Sequence, residues 1–347
     1  MTLYFVAKFN DISIQNHIMN LPFISVIIVS WNALHHLKRF LPSVYATNYS
    51  NFEIILADNA SSDESVKFVM ENFPKVRITS FDKNYGYCGG NNRAVLSANG
   101  EILLFLNNDV EVDSNWLHAI GEEFLIKKVA AVQPKLLSLD NPDYFEYAGA
   151  AGGLIDALGY PFCRGRVFDH LEKDFGQYDK NAPIFWASGA ALAIRKDIFT
   201  YLGGFDETFE FHMEEIDLCW RVWRSGYEVR YVSGSSVQHL GGGSLNAISP
   251  RKTFYNFRNN WWMLQKNLST SAFSSLFLFR LSLDVLALIK ELISGRIDHA
   301  LAIFQGVSQA LSQPKKEVIL PEKLPQGLVF PGSIIWEYFI RGNKVIY

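Results

Sequence analysis

An α/β fold, with a mostly parallel sheet and helices on both of its faces, is the architecture that the sequence predicts. Four short apolar runs alternate with helical patterns in the first 110 residues, as expected for strand–helix repeats. The runs ISVIIVS, FEIILAD and EILLFL lack polar alternation, which indicates strands buried on both faces. A chain of 347 residues that is 49% hydrophobic also has enough apolar surface for a large core.

The predicted elements follow one another at the spacing of such a fold. Strands are expected at 24–32, 52–58, 76–81 and 101–110, with helical patterns between them. The second half is less regular. It is predicted to contain a hairpin within 153–166, a strand and short helix within 184–209, an amphipathic helix and strand over 213–232, and long helical patterns from about residue 266.

Polar side chains follow each of the four predicted strands. Asn32, Asp58 and Asn84 come just after the first three strands, and Asn107–Asp109 end the fourth. In open α/β sheets, ligands bind outside the carboxyl ends of the strands. The sequence therefore predicts a ligand site at this edge of the sheet.

Charge and cysteine content exclude several classes of protein. Residues 1–250 carry 29 acidic and 20 basic side chains, which argues against a general nucleic-acid binder. Residues 251–347 carry 12 basic and 6 acidic side chains, which suggests a different partner for that part. Cys88, Cys163 and Cys219 are widely spaced, so neither a disulfide framework nor a zinc site is expected.

Two common nucleotide-binding motifs are absent. The segment SWNALHH, after the first strand, lacks the glycines of the dinucleotide fingerprint, and no GK[ST] sequence follows a glycine run. A dehydrogenase and a P-loop enzyme are therefore not expected.

Eight short motifs, in order, carry a resemblance to a known family. They are SVIIVSWN, LADNASSDES, NYGYCGGNN, FLNNDV, SGAALAIRKDIF, GGFDETF, EEIDLCWR and VQHLGGGS, and they cover about residues 22–265. Together they resemble the inverting family 2 glycosyltransferases of GT-A fold, most of all the bacterial rhamnosyltransferase-like branch. The resemblance implies a 22–265 catalytic domain, preceded by a 1–21 extension and followed by a helical segment and tail over 266–347.

The resemblance also implies a metal and donor site at the end of the fourth strand. The family's DxD-like motif reads Asn107-Asn108-Asp109 here, which makes Asp109 the implied ligand of Mg²⁺ or Mn²⁺. His239, in a segment similar to the family's H-x-G-G-x-S, is the implied second ligand. The implied donor is a UDP- or dTDP-linked sugar, bound by Asn32, Asp58, Asn59, Asn84, Gly86, Gly89, Asn108 and Asp109.

The remaining motifs imply the catalytic and acceptor residues. Glu215 matches the family's catalytic base, with Glu214 as second choice, and it would take a proton from an acceptor hydroxyl. The implied acceptor or sugar contacts are Trp186, Ser188, Gly189 and Asp217, although Asp217 could instead pair with Arg221 four residues on. His35 and His36 lack a motif and are expected to be structural.

The predicted function is transfer of a sugar, with inversion, to the hydroxyl of a glycan or a lipid-linked acceptor in bacterial cell-surface polysaccharide assembly. Two alternatives stay open: a sugar-phosphate nucleotidyltransferase, and a degenerate module that binds sugar or nucleotide without catalysis. The first should show a basic, glycine-rich loop after the first strand, and the second should lack the acids at positions 109 and 215. Neither mark is present.

The C-terminal segment predicts contact with a membrane surface. Residues 271–293 form an apolar helical pattern interrupted by four charges, and Arg280, Asp284 and Glu291 share one face. The pattern favours an amphipathic helix over a membrane span. Without a recognisable signal peptide, the protein is expected in the cytoplasm, at the inner face of the membrane. The alternatives are that these helices pack on the catalytic domain or on a second copy of the chain.

Overall fold

The computed structural model describes residues 21–241, 249–321 and 323–346. The predicted N-terminal extension lies outside these ranges, apart from Leu21. The strands, in chain order, are β1 Ile24–Ser30, β2 Phe52–Asp58, β3 Val76–Ser80, β4 Ile102–Leu106, β5 Val110–Val112, β6 Val129–Ser138, β7 Gly153–Ile155, β8 Pro161–Cys163, β9 Arg166–Val167, β10 His170–Leu171, β11 Ala182–Pro183, β12 Ala191–Arg195 and β13 Glu228–His239.

The helices complete the framework. They are α1 Leu34–Tyr45, α2 Ser65–Asn72, α3 Gly86–Ala94, α4 Trp116–Glu123, α5 Lys196–Tyr201, α6 Glu214–Arg224, α7 Pro250–Asn267, α8 Thr270–Ile293 and α9 Ile297–Ser312. Short 3₁₀ turns span Val95–Ser97 and Glu207–Phe209, and a π-helical turn spans Trp336–Ile340.

The first four strands form the predicted parallel unit. Their order across the sheet is β3-β2-β1-β4, and each neighbouring pair is parallel. The carboxyl ends of all four strands therefore meet at one edge, as expected. A separate antiparallel sheet, β7 to β10, contains the predicted 153–166 hairpin.

The second half of the main sheet adds antiparallel pairs to the predicted parallel strands, so the α/β sheet as a whole is mixed. β12 runs antiparallel between β4 and β6, whereas β13 runs parallel to β6. The residues Ala191–Ile194 of β12 are all buried, like those of the parallel strands. Because such a strand is apolar throughout in either direction, its sequence pattern does not reveal which way it runs.

Helices cover both faces of the sheet, as predicted. Successive residues of a strand point to opposite faces. Val26 and Ile28 accordingly join one apolar core with α1, α2 and α4. Ile27 joins a second core with α3, α5, α6 and α7, to which Trp261 and Trp262 of α7 contribute. The predicted domain boundary at residue 265 therefore falls inside a helix that packs on the sheet.

Helix α8 is packed with its charged face inward. The Arg280 guanidinium donates to Asn260 Oδ1 (2.7 Å) and lies 3.6 Å from the centre of the Tyr160 ring. Asp284 lies 3.7 Å from Arg280 and accepts a hydrogen bond of 2.6 Å from Trp261 Nε1. These buried partners pair the two charges, although Arg280 Nε has no hydrogen-bond partner in the described chain, and they anchor the helix to the α/β domain.

Part of the apolar surface of α8 is exposed. Leu278, Leu286 and Ile293 are 76%, 61% and 82% exposed, and Phe304 of α9 is 61% exposed. Other apolar residues of α8, among them Phe273 and Phe277 on the Trp261 ring, pack against the core, so the alternative in which this helix packs on the rest of the chain is observed in part. Within the described ranges, α8 is also the one helix long and apolar enough to cross a membrane by length and composition.

Candidate active site

Side chains at the carboxyl ends of the parallel strands line a cleft of about 620 Å³, called here the strand-end cleft. Its position is the one at which open α/β sheets bind ligands. Six of the eight residues predicted to bind the donor lie in its wall: Asn32, Asn59, Asn84, Gly86, Asn108 and Asp109.

The loop that opens α3 is held against the cleft by two asparagines. Asn59 Nδ2 donates to the carbonyl oxygen of Gly86 (3.0 Å), and Asn84 Oδ1 accepts from the Gly86 N–H (2.8 Å). Gly86 has a φ of +69° with open space where a Cβ would be. The left-handed backbone, rather than crowding, therefore favours glycine at this position.

The other two predicted donor ligands do not line the cleft. Asp58 is 4% exposed, and its carboxylate accepts from the backbone N–H of Ser61 at 3.2 Å. A Cβ on Gly89 would lie 3.1 Å from both Arg93 and Glu207, which form an ion pair of 2.9 Å. Gly89 makes room for that pair, which gives this glycine a packing role, and its contact with the donor stays a prediction.

Aromatic and basic residues that sequence reasoning missed complete the cleft. Trp31, His35, His36 and Arg251 all line it, and Trp31 is 54% exposed. Both histidines belong to the first turn of α1, and the His36 ring also stacks on the Phe40 ring (5.9 Å between centres), so their structural role stays a prediction beside their place in the cleft wall. The strand-end rule, extended into the helix that follows β1, would have found them.

Asp109 and His239 are brought together by strand pairing. His239, the last residue of β13, is opposite Val110 of β5 in an antiparallel pair. Its Nε2 atom lies 3.1 Å from Asp109 Oδ1 and 3.4 Å from the Asn107 amide nitrogen. The two residues predicted to hold a metal ion are thus neighbours, although they are 130 positions apart in sequence.

Glu146 is a third member of this group that the sequence did not reveal. Its Oε1 atom lies 3.3 Å from Nδ1 of His239. Burial alone would lower the pKa of His239, but hydrogen bonds to Asp109 and Glu146 outweigh it and raise the pKa to about 10. A carboxylate on the second ring nitrogen is the arrangement that orients a metal-binding histidine.

The donor atoms fit a divalent cation that is shared with a ligand. Among the described residues, no three His, Cys, Asp or Glu side chains are arranged to enclose an ion by themselves. Asp109 offers a carboxylate that lines both the strand-end cleft and a second cavity, and His239 offers an imidazole in the wall of the second cavity. Mg²⁺ in particular is often held by one or two protein ligands together with substrate phosphates.

Glu214 and Glu215 begin helix α6 behind a strained segment of backbone. Glu210, His212 and Met213 have φ values of +63°, +65° and +74°, which non-glycine residues rarely adopt. One carboxylate oxygen of each glutamate is buried without a hydrogen-bond partner in the described chain. Burial raises the pKa of both acids, that of Glu215 to about 7. Such an acid can exchange a proton near neutral pH.

Two cavities meet at Glu215. The central cavity, of about 460 Å³, is lined by Asp109, His239, Glu214 and Glu215. The side cavity, of about 340 Å³, is lined by Glu215 but not by Glu214. Glu215 is therefore the acid that faces both spaces.

The predicted sugar contacts Trp186, Ser188 and Gly189 lie in these walls but are held by the protein. Trp186 lines the side cavity, is 6% exposed, and donates to the Leu154 carbonyl oxygen (2.9 Å). Ser188 and Gly189 line the central cavity, where the Ser188 hydroxyl donates to the Ala148 carbonyl oxygen (2.5 Å). The Trp186 ring packs against Gly153, where a Cβ would come within 2.1 Å of it.

Asp217 lies in a buried ion-pair network, which corrects its predicted contact with the acceptor. It is fully buried, with its carboxylate 2.8 Å from Arg221 and 2.9 Å from Lys266, and it accepts from Asn267 Nδ2 (2.8 Å). Burial alone would raise the pKa of Asp217, but Arg221 and Lys266 hold it below its usual value. The alternative pairing with Arg221 is the one observed.

Replacing Asp217 by alanine is expected to destabilise the fold by about 3–5 kcal/mol, because Arg221 and Lys266 would stay buried without their counter-ion. Denaturant unfolding of the variant checks this. The control is Glu64→Ala, which removes an exposed ion pair with Lys67 and should change stability little. Equal stability of the two variants would contradict the structural role.

The comparisons with known proteins agree with this architecture. Residues 25–173 match the family profile described as Glycosyl transferase family 2. The chain is 29% identical over 222 residues to an O-antigen biosynthesis protein of Myxococcus xanthus, which covers 63% of this chain and 17% of that protein. It is 28% identical over 261 residues to N-acetylgalactosaminyltransferase 6 of Drosophila melanogaster, covering 71% of this chain and 38% of that protein. The chain thus spans well under half of these two relatives.

A third relative is matched over most of its length. The N-acetylglucosaminyl-diphospho-decaprenol L-rhamnosyltransferase of Mycobacterium tuberculosis is 27% identical over 233 residues, which cover 62% of this chain and 75% of that protein.

Solved structures share the fold. GalNAc-T7, crystallised with UDP, GalNAc and Mn²⁺, superposes with a TM-score of 0.53 at 18% identity, covering 75% of this chain and 55% of that one. A mannosyltransferase from Pyrobaculum calidifontis, in complex with GDP-Man and Mn²⁺, has a TM-score of 0.53 at 15% identity and covers 86% of this chain and 83% of that one. The chain therefore has the GT-A fold, and its residues 25–173 are similar to the family 2 glycosyltransferases.

Proposed function

We propose that the protein is a metal-dependent, inverting glycosyltransferase that moves a sugar from a nucleoside-diphosphate sugar to an acceptor hydroxyl, in the assembly of a bacterial cell-surface glycan. The observation that carries the proposal is the position of Glu215. Its carboxylate lies in the wall shared by the side cavity and the central cavity that holds Asp109 and His239. The presence of all three groups argues against a degenerate binding module.

In this proposal the strand-end cleft holds the nucleotide and the side cavity holds the acceptor. Glu215 accepts the proton of the acceptor hydroxyl as that oxygen bonds to the anomeric carbon from the face opposite the leaving group. The bond from the anomeric carbon to the diphosphate oxygen breaks, and its electron pair leaves with the nucleoside diphosphate. Asp109 and His239 would hold a Mg²⁺ or Mn²⁺ ion, which neutralises charge on the leaving diphosphate.

A panel of nucleotide sugars tests the proposal. Thermal unfolding is measured with UDP-, dTDP- and GDP-linked sugars, each with Mn²⁺ and with a chelator, because a ligand that binds only the native state raises the melting temperature. We expect at least one donor to stabilise the protein only when Mn²⁺ is present. Donor stabilisation that is unaffected by the chelator would contradict metal-dependent binding.

The proposal includes a location at a membrane surface. Apolar residues of α8 and α9 are exposed side by side, and residues 251–347 supply 12 basic and 6 acidic side chains. Buried apolar area and attraction to anionic lipid are the two contributions that bind amphipathic helices to membranes. A lipid-linked acceptor would be presented at that surface.

Liposome flotation checks this location. The full-length protein is expected to float with anionic vesicles at low salt and less at high salt, because salt screens the electrostatic part. Leu278→Glu combined with Leu286→Glu should abolish flotation. The matched control is Leu96→Glu, at a residue that is 87% exposed and far from α8 in sequence. Failure of the wild type to float would contradict the proposal. If the wild type is a dimer and the double variant is a monomer, the exposed face serves self-association instead.

A further inference from the structure

Two cations without an acidic partner lie in the side cavity beside Glu215. Lys252, in the first turn of α7, and Arg166, in β9, both line this cavity. Arg166 donates to the carbonyl oxygens of Phe168 (2.8 Å) and Tyr147 (2.9 Å). Among the described residues neither side chain has a carboxylate within 4.0 Å, whereas each buried cation in the same ranges, such as Lys135, Arg221 or Arg280, has one.

The two charges act on each other. Both stack on the ring of Tyr147, with the Arg166 guanidinium 3.2 Å and the Lys252 ammonium 5.4 Å from its centre. Burial and the neighbouring Arg166 lower the pKa of Lys252. Glu146 acts on Lys252 in the opposite direction, but its carboxylate contacts His239 instead. Among the described residues the two cations of this cavity therefore form no ion pair.

The position of Arg166 assigns this charge to the acceptor rather than the donor. Lys252 and Glu215 border both cavities, whereas Arg166 lines only the side cavity, away from Asp109 and His239. A guanidinium and an ammonium together suit a phosphate group, which accepts several charge-assisted hydrogen bonds. An anion held there would lie a short distance from the carboxylate that is proposed to take the hydroxyl proton.

We infer that Lys252 and Arg166 bind a phosphate or diphosphate group of the acceptor, so that the acceptor is a phosphorylated sugar whose free hydroxyl reaches Glu215. This inference rests on the proposed function, because it assigns the acceptor half of the same reaction.

Aromatic residues in the outer wall of the side cavity indicate whether the phosphate belongs to a lipid-linked or a soluble acceptor. Phe168 lines the cavity, and its ring lies 4.9 Å from the rings of both Tyr338 and Phe339. Phe339 is 54% exposed and lies 5.6 Å from the Lys290 ammonium of α8. Aromatic surface thus runs from the side cavity to α8 at Lys290, in the direction expected for a lipid chain attached through the phosphate.

Acceptor kinetics test the inference. Release of nucleoside diphosphate is followed with a panel of sugar 1-phosphates and with the matching methyl glycosides, which lack the phosphate. We expect a phosphate-bearing probe to raise release above the rate of donor hydrolysis. Lys252→Gln and Arg166→Gln should each raise its KM by about 10- to 100-fold, the effect of losing one hydrogen bond to a charged group. Lys252→Arg should restore most of the loss, and Lys316→Gln, the same change at an exposed lysine, should have no effect.

A second arm identifies the source. The same sugar joined through a diphosphate to a short isoprenoid chain should have a lower KM than the sugar 1-phosphate if the acceptor is lipid-linked, and an equal KM if it is soluble. The inference is wrong if no phosphate-bearing probe exceeds its methyl glycoside, or if the two glutamine variants weaken donor binding instead. Donor hydrolysis by the wild type would still support the proposed function in either case, whereas its absence for every donor would remove that function itself.

Discussion

Replacing Glu215 by glutamine is expected to lower the rate of sugar transfer by about 10²–10⁴-fold, the usual effect of removing a general base. The amide preserves the shape of the side chain but cannot accept the proton of the acceptor hydroxyl. Donor affinity should stay unchanged, because Glu215 does not line the strand-end cleft. Steady-state kinetics and donor calorimetry on the same preparation separate the two effects.

Glu214→Gln is the matched control for this prediction. Glu214 borders the central cavity but not the side cavity, so its loss should affect transfer far less. A larger loss for Glu214→Gln would move the catalytic base by one residue. Equal and full activity of both variants would place the base outside α6.

The pH dependence of transfer follows from the same group. A base must be ionised to act, and burial raises the pKa of Glu215 to about 7. Transfer should therefore increase as pH rises through about 7, and decrease below it as Glu215 takes up a proton. The residual activity of Glu215→Gln should not show this decrease below pH 7.

Replacing Asp109 by asparagine is expected to weaken metal-dependent donor binding by more than about 100-fold. Loss of an outer-shell partner of a metal site typically costs 10–100-fold in metal affinity, so loss of a direct ligand should exceed that range. Asparagine keeps the size of the side chain but removes the charge that pairs with the cation. Calorimetric titration of the donor, with Mn²⁺ and with a chelator, measures the effect without relying on turnover.

Two further variants define what the Asp109 result means. Glu146→Gln, which removes the carboxylate next to His239 Nδ1, should weaken metal-dependent binding by about 10–100-fold. Asp113→Asn changes an exposed acid four residues further on and should have no effect. The proposed metal site is wrong if Asp109→Asn binds the donor with wild-type affinity and if the chelator does not change the donor affinity of the wild type.

The strand-end residues could be predicted from sequence because a general rule places them. Asn32, Asn84 and Asn108 follow apolar strands that are predicted to be parallel because helices separate them. The strands are parallel, and the three asparagines line one cleft. Glu146 could not be predicted, since it lies in a loop with no periodic pattern. Its place beside His239 depends on long-range pairing of β13 with β5 and β6. Asp217 shows the opposite case, in which a motif position proved to be a buried ion pair.

Helix α8 shows a further limit of pattern reading. Its bounds were predicted almost to the residue, and so was the separation of charged and apolar faces. The sequence could not tell which face points inward. The partners that hold Arg280 and Asp284 inside, Tyr160, Asn260 and Trp261, lie 20 or more residues away along the chain. Local amphipathicity alone would have placed these two charges in water.

The stereochemistry of donor cleavage tests the central claim most directly. With water as the acceptor and the donor identified by the panel, proton NMR at early times, before the anomers equilibrate, reports which anomer of the sugar is released. A single displacement assisted by Glu215 predicts a first-formed sugar with the anomeric configuration opposite to that of the donor. Release of the sugar with the donor's own configuration would contradict the account.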